Sequence, residues 1–246
     1  MLPVFYTDVA AIERDRDRTR KIDFGDRRFG FCATSHLCPC LAVEFAAGAR
    51  EYPIVFLKEN DRHTPVFLFG LRPGQNLMTT PDGAWLGAYL PRYLARFPFI
   101  IAETPGSQMI LGIDASARES GDGAALFDET GEPSAFLNRM LGVAEAYALD
   151  AKASDVFVAR LSELDLFHPI TVEVSGEGQT YGWTDLHAVD EAKLNSLGDE
   201  DLLSLVRNGY LAAIYSHLLS LRAFRALKDA EVRRAREYST ESSAVA

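Results

Sequence analysis

Tyr52-Pro53-Ile54-Val55-Phe56-Leu57-Lys58 and Pro65-Val66-Phe67-Leu68-Phe69-Gly70-Leu71 decide the fold class. Each is short, apolar and rich in β-branched and aromatic side chains, which is the composition of a strand. The connection between them, residues 59–64, has hairpin length and is too short for a crossover, so the two strands are antiparallel. Working outward, the same arrangement recurs. Residues 97–103 and 108–114 form a second strand pair around Thr104-Pro105-Gly106, and 166–174 and 179–187 form a third around Ser175-Gly176-Glu177-Gly178. Helical stretches follow each pair. Residues 84–96 read as a helix that Pro91 either kinks or restarts. Ser134 is placed to cap a helix running to about residue 164, with a break expected near 151–154. A short helix over 190–197 precedes 202–236, which reads as one long helix or as two divided near Gly209. Leu203, Val206, Tyr210, Ile214, Leu221 and Phe224 recur there at roughly helical spacing. Hairpins followed by helices make this an α+β protein: a mostly antiparallel sheet built from ββα units, with a long C-terminal helical segment. A doubly wound parallel sheet would need strands alternating singly with helices, and they do not.

The chain of 246 residues is 48% hydrophobic and 24% charged, enough apolar material for a core. Residues 1–30 read as a charged N-terminal arm, with 14–18 a loop or mobile stretch. Residues 31–237 read as a single domain, and 238–246 as a flexible tail. The net charge of −10 makes the protein a poor general binder of nucleic acid or anionic lipid. Charge is uneven: residues 13–28 hold seven basic and five acidic side chains, and 222–237 hold six and three. Such runs are ordinarily solvated faces, and their functional alternative is a docking surface for an acidic partner. No apolar run reaches the roughly 20 residues of a membrane span. The N-terminus lacks the basic, apolar and small-residue succession of a signal peptide, and three cysteines cannot close a disulfide framework. A cytoplasmic location is therefore expected, leaving open export without a cleaved leader.

The ordered set Glu44-Phe45, Tyr52-Pro53-Ile54-Val55-Phe56, Phe69-Gly70, Gly74-Gln75-Asn76-Leu77, Tyr89-x-Pro91 and Pro98-Phe99 continues with Leu126-Phe127-Asp128-Glu129-x-Gly131-Glu132-Pro133. It closes with Asp165-Leu166-Phe167, Val189-Asp190-Glu191-x-Lys193-Leu194, Gly209-Tyr210-Leu211 and Ser220-Leu221-x-x-Phe224-Arg225-Ala226-Leu227. In that order and spacing the chain resembles the bacterial SapC family over residues 30–230. The family is named for a surface-array (S-layer) locus, and the resemblance carries no catalytic residues over. A peptide-transporter permease shares the name, and the absence of an apolar span separates this chain from it. The family pattern does not include Cys32, Cys38 and Cys40.

Candidate chemistry is sparse. Cys32, His36, Cys38 and Cys40 pack four soft ligands into nine residues, but tetrahedral zinc usually takes two separated pairs, so reduced structural thiols are expected and no metal. His217, on an apolar helical stripe, reads as a hydrogen-bonded core or interface histidine. Gly176-x-Gly178-x-x-x-Gly182 has the wrong spacing for a dinucleotide site, and no nucleophile elbow or phosphate loop is present. The expected binding surface is the aromatic and basic stretch Trp85, Tyr89, Arg92 and Arg96, on one helical face if the helix continues through Pro91, with Gln75 and Asn76 beside it. Catalytic residues stay unassigned and no cofactor is expected. The leading reading is a non-catalytic module that binds a peptide, a protein or a surface-layer component. The C-terminal helix is offered as a surface for self-association. An accessory enzyme or cofactor-binding protein acting on a peptide or carbohydrate is the alternative, and it requires several of Asn76, Tyr89, Asp114, Tyr181 and Asp185 to converge. A structural S-layer subunit ranks last.

Overall fold

The structure is a computed structural model that describes residues 3–103, 109–176 and 179–244. In chain order its first half holds β1 (Val9–Ala11), α1 (Arg14–Asp17), β2 (Lys21–Ile22), a 3-10 turn (Arg28–Cys32), β3 (Leu37–Pro39), a second 3-10 turn (Ala42–Glu44), α2 (Phe45–Gly48), β4 (Ile54–Glu59) and β5 (Arg62–Leu68). Then come α3 (Arg92–Arg96), β6 (Phe99–Glu103), β7 (Met109–Asp114), β8 (Ala124–Ala125), α4 (Ala135–Glu163), β9 (Phe167–Gly176), β10 (Gln179–Val189), α5 (Glu191–Asn195), α6 (Asp199–Arg207), α7 (Tyr210–Ser220) and α8 (Ala223–Ala244). The protein is α+β, and its described strand pairings are antiparallel.

The three hairpins form as the sequence predicts, but they do not share one sheet. The first and third join edge to edge through β4 and β10, with Leu57 opposite Leu186 and Phe56 opposite His187. This gives a five-stranded sheet ordered β3-β5-β4-β10-β9, whereas β6 and β7 pair with the N-terminal β1 in a separate sheet. The β4–β5 connection is tighter than expected. Pairing continues to Glu59 opposite Arg62, leaving Asn60 and Asp61 as a two-residue turn with φ of 47° and 62°. Both residues take the left-handed conformation that a type I′ hairpin requires, and Asn and Asp tolerate it better than most side chains. The expected turn at 104–106 and the 177–178 part of the next lie outside the described residues.

Residues 14–18, expected as a loop, instead contain α1, and β1 and β2 are paired into sheets with β7 and β8. Asp17 explains the order. Its carboxylate is buried, accepts the Glu13 N–H at 2.8 Å and takes Arg20 at 3.0 Å. The expected break near 151–154 does not occur: α4 runs unbroken for 29 residues, about 44 Å. Ser154 is buried within it; its hydroxyl donates back to the Asp150 carbonyl at 2.8 Å and accepts the Ala42 N–H at 2.9 Å. What looks in sequence like a weak point is a docking point. Phe136, Leu137 and Met140 of α4 join Ile22, Phe99 and Ile113 in one core. Further along, Phe157, Val158 and Leu161 join Phe45, Phe56 and Phe167 in the other.

The C-terminal helical segment is three helices. Gly209, at φ 74°, ends α6, and a second bend follows Ser220. α7 is pinned on β4 and β10 by His217. The ring is fully buried, its Nε2 accepts the Val189 N–H at 3.0 Å, and its Nδ1 donates to the Ile54 carbonyl at 2.9 Å. Burial pulls its pKa down to about 4, so the neutral ring is the folded form. α8 continues through Ala244, and 245–246 lie outside the described residues.

Candidate functional site

The stretch 84–91 is not helical; Pro91 is the N-cap of α3, which supplies five helical residues. The shared face anticipated for Trp85, Tyr89, Arg92 and Arg96 therefore does not form as a helix. Each of these side chains is instead engaged in the framework. The Trp85 indole donates to the Tyr89 carbonyl at 3.1 Å and packs against Phe29, Tyr52 and Phe69. The Tyr89 hydroxyl and the Arg92 N–H both donate to Glu44 Oε1 at 2.8 Å, and the Leu41 N–H donates to Oε2 at 3.0 Å. Glu44 is 1% exposed, and burial raises its pKa against the opposing pull of those donors. The Arg92 guanidinium pairs with Asp150. Arg96 lies over three tyrosine rings, 4.0 Å from the centroid of Tyr147, 4.6 Å from Tyr93 and 5.3 Å from Tyr6. Asn76 is buried, donating to the Cys32 carbonyl at 3.0 Å and accepting the Met78 N–H at 2.7 Å. The Gln75 Oε1 is shielded from solvent without a hydrogen-bond partner.

Of the residues that an enzyme reading asks to converge, three are each engaged by a different partner. Asn76 serves Cys32, Tyr89 serves Glu44, and Asp114 accepts the Thr7 N–H at 2.6 Å and the Ser116 N–H at 2.9 Å. Asp185 is exposed on β10, and the Tyr181 side chain lies outside the described residues. Cys32, Cys38 and Cys40 are free and buried. Burial pushes the Cys32 thiol up to about 12, and the other two well above their ordinary value. Thiols held protonated in this way are poor nucleophiles and poor metal ligands. His36 stacks on Trp183 with centroids 4.4 Å apart. Among the described residues no group of three or more His, Cys, Asp or Glu side chains is arranged to hold a metal ion.

The site that the geometry does build lies between β2, the 28–32 turn, the Phe97–Pro98 link and the loop after β7. It is a pocket of about 350 Å³ lined by Ile22, Phe31, Phe97, Pro98 and Ala117, with Asp23, Arg28, Gly30, Ser116 and Arg118 completing the wall. Phe31 and Phe97 stack at 3.8 Å with an interplanar angle of 22°. α3 ends at Phe97 and so delivers that ring to the wall. The opposite loop is fixed by Asp114, which is fully buried. Burial alone would raise the Asp114 pKa, but hydrogen bonds from Ser116, Thr7 and Asp8 outweigh it and hold the carboxylate below its ordinary value.

Arg28 is the unusual member. Its guanidinium carbon sits 4.0 Å from the Phe24 ring centroid and 4.4 Å from that of Phe29. Nη1 donates to the Gly25 carbonyl at 3.3 Å, while Nε is shielded from solvent with no hydrogen-bond partner. The Asp23 carboxylate, in the same wall, pairs instead with Arg118 at 3.8 Å. Burial lowers the Arg28 pKa, and the neighbouring Asp23 and Asp26 do not offset it. A guanidinium keeps its proton under such conditions, so a partly desolvated cation faces a largely apolar pocket. That arrangement suits an anion carried on an apolar body.

Arg28 escaped the sequence reading because it stands in a run of alternating charge, where solvation is the rule. A signal was present: phenylalanines four before it, one after it and three after it, spacing that brings rings onto its stem and head once the chain turns. Trp85 touches the site indirectly, with its indole against the Phe29 ring that backs Arg28, centroids 5.7 Å apart.

No curated protein and no solved structure matches the chain in the comparisons made with them. The profile of the SapC family matches residues 16–227, a span that includes every residue of the pocket wall. The chain belongs to the SapC family.

Proposed function

We propose that this SapC-family protein is a non-catalytic binding module for a peptide or protein, such as a surface-layer component, and that recognition is centred on the Arg28 pocket. The observation that carries this is the partly desolvated Arg28 guanidinium in a largely apolar wall, with Nη2 making no hydrogen bond among the described residues. A partly desolvated charge with one weak hydrogen bond is costly, and a ligand anion beside it offsets that cost on binding. An enzyme would need a nucleophile with a base, or an acid–base pair, at the same place. The wall offers one carboxylate, Asp23, paired with Arg118, and one hydroxyl, Ser116, which donates to Asp114.

The test uses the full chain labelled for amide NMR and titrated with a mixture of random hexapeptides. Shifts confined to Gly30, Phe31, Ala117 and their neighbours are expected, and Arg28→Met should remove them. If no peptide moves those amides, or if the variant responds as the wild type does, the assignment is wrong.

A further inference from the structure

The Arg28 pocket selects for more than negative charge; its finer specificity rests on the binding role proposed for it. With Nη1 committed to Gly25 and Nε shielded from solvent, Nη2, which makes no hydrogen bond among the described residues, is the Arg28 nitrogen left for a ligand. It can donate a charge-assisted hydrogen bond to one oxygen of a carboxylate. A phosphate dianion fits less well. The wall holds two guanidiniums, Arg28 and Arg118, against one carboxylate, Asp23, a net single positive charge that suits a monoanion.

The rest of the wall limits how the carboxylate is carried. The hydroxyl and the carboxylate of the wall are already engaged: Ser116 donates to Asp114, and Asp23 accepts the Gly25 N–H at 3.2 Å and lies 3.8 Å from the largely exposed Arg118. A through-going chain with an Asp or Glu side chain on Arg28 would leave its own amides in the pocket without partners, at a cost of about 1–3 kcal/mol each. A chain terminus avoids this, because carboxylate and side chain leave one carbon and only one peptide segment needs to reach solvent. The volume, about 350 Å³, lies at the small end of ligand pockets and accommodates one residue. The stacked Phe31 and Phe97 rings suit an aromatic or large aliphatic side chain.

We propose that the Arg28 pocket binds the free C-terminal carboxylate of a peptide or protein whose last residue is aromatic or large and aliphatic. The experiment is calorimetric titration of the wild-type full chain with three probes: N-acetyl-Ser-Gly-Ser-Phe as the free acid, the same peptide as its C-terminal amide, and 3-phenylpropionate. The free-acid peptide is expected to bind at least about tenfold more tightly than the amide, the size of one charge-assisted hydrogen bond, and more tightly than 3-phenylpropionate. Arg28→Gln should erase the acid–amide difference. Equal binding of acid and amide overturns the terminal-carboxylate assignment. So does 3-phenylpropionate binding as tightly as the peptide acid, which identifies a free apolar acid as the ligand. Absence of binding by all three probes overturns it as well. Because the acid–amide comparison is made on the wild type, it stands even if the variant does not fold. Should the random hexapeptides still shift the pocket amides when acid and amide do not differ, the terminal-carboxylate inference falls and the binding role does not.

Discussion

Glu44 is drawn fully out of water and Arg28 partly, and the molecule treats the two charges in opposite ways. Around Glu44 every polar atom is matched: three donors from three segments reach its two oxygens, and each donor would itself be unsatisfied without it. Around Arg28 the protein supplies two phenyl faces and one carbonyl and leaves Nε without a partner. The first arrangement organises the chain, since it ties the Leu41 turn, Tyr89 and the start of α3 to one point. The second organises nothing that the fold needs. A satisfied buried charge belongs to the framework, and an unsatisfied one facing a pocket is where a ligand belongs.

The contrast can be broken by substitution. Glu44→Ala removes the shared acceptor of one buried and two part-buried donors and is expected to cost about 3–5 kcal/mol of stability. Urea unfolding reads this directly, and a loss below about 1 kcal/mol would mean that Glu44 is not the hub described.

His217 belongs to the same satisfied framework and adds a pH signature. Its folded pKa, about 4, lies below the ordinary 6.5. Between these values the unfolded chain binds a proton that the folded chain refuses, so stability falls as pH drops from 6.5 toward 4, by about 3 kcal/mol from this group. The contribution is fully present above pH 6.5. The wild type should show a steeper fall in urea midpoint over that window than His217→Asn, and parallel curves would remove the histidine from the framework.

The smallest expected effect is the most diagnostic. Arg28→Met keeps the apolar stem and deletes an unpaired cation, so stability should change by less than about 1 kcal/mol, or rise, while peptide binding is lost. A loss of several kcal/mol at the same midpoint measurement would place Arg28 with Glu44 and erase the distinction.

The parts of this structure legible in sequence are those whose causes are local. The hairpins announce themselves through β-branched and aromatic runs on either side of turn residues. Ser134 caps α4 as predicted, accepting the Leu137 N–H at 3.1 Å, and Asp190 likewise caps α5. The parts not legible are those decided by distant segments. Nothing in residues 52–71 states that β4 will take β10 as its neighbour. Nothing in 84–96 states that Glu44 will accept from Tyr89 and Arg92 and so favour an irregular path over a helix. The Ser154 region reads as a break until Ala42 supplies its partner. The charged run that ends at Arg28 looks solvated until Phe24 and Phe29 close over it. None of Trp85, Tyr89, Arg92 and Arg96 lines the pocket; Trp85 packs on Phe29, and Tyr89 and Arg96 turn their polar ends inward.

α4 has a consequence for how the molecule melts. One rigid rod carries side chains into both cores, so neither core can loosen without pulling on the other, and the two sheets share a common free energy of opening. The pocket, walled by Ile22 from one core and by Phe97 from the other, sits across that shared unit. Occupancy there stabilises the whole chain by mass action, by RT ln(1 + [L]/Kd). A bound terminus is thus reported at the far end of the five-stranded sheet as readily as beside Arg28.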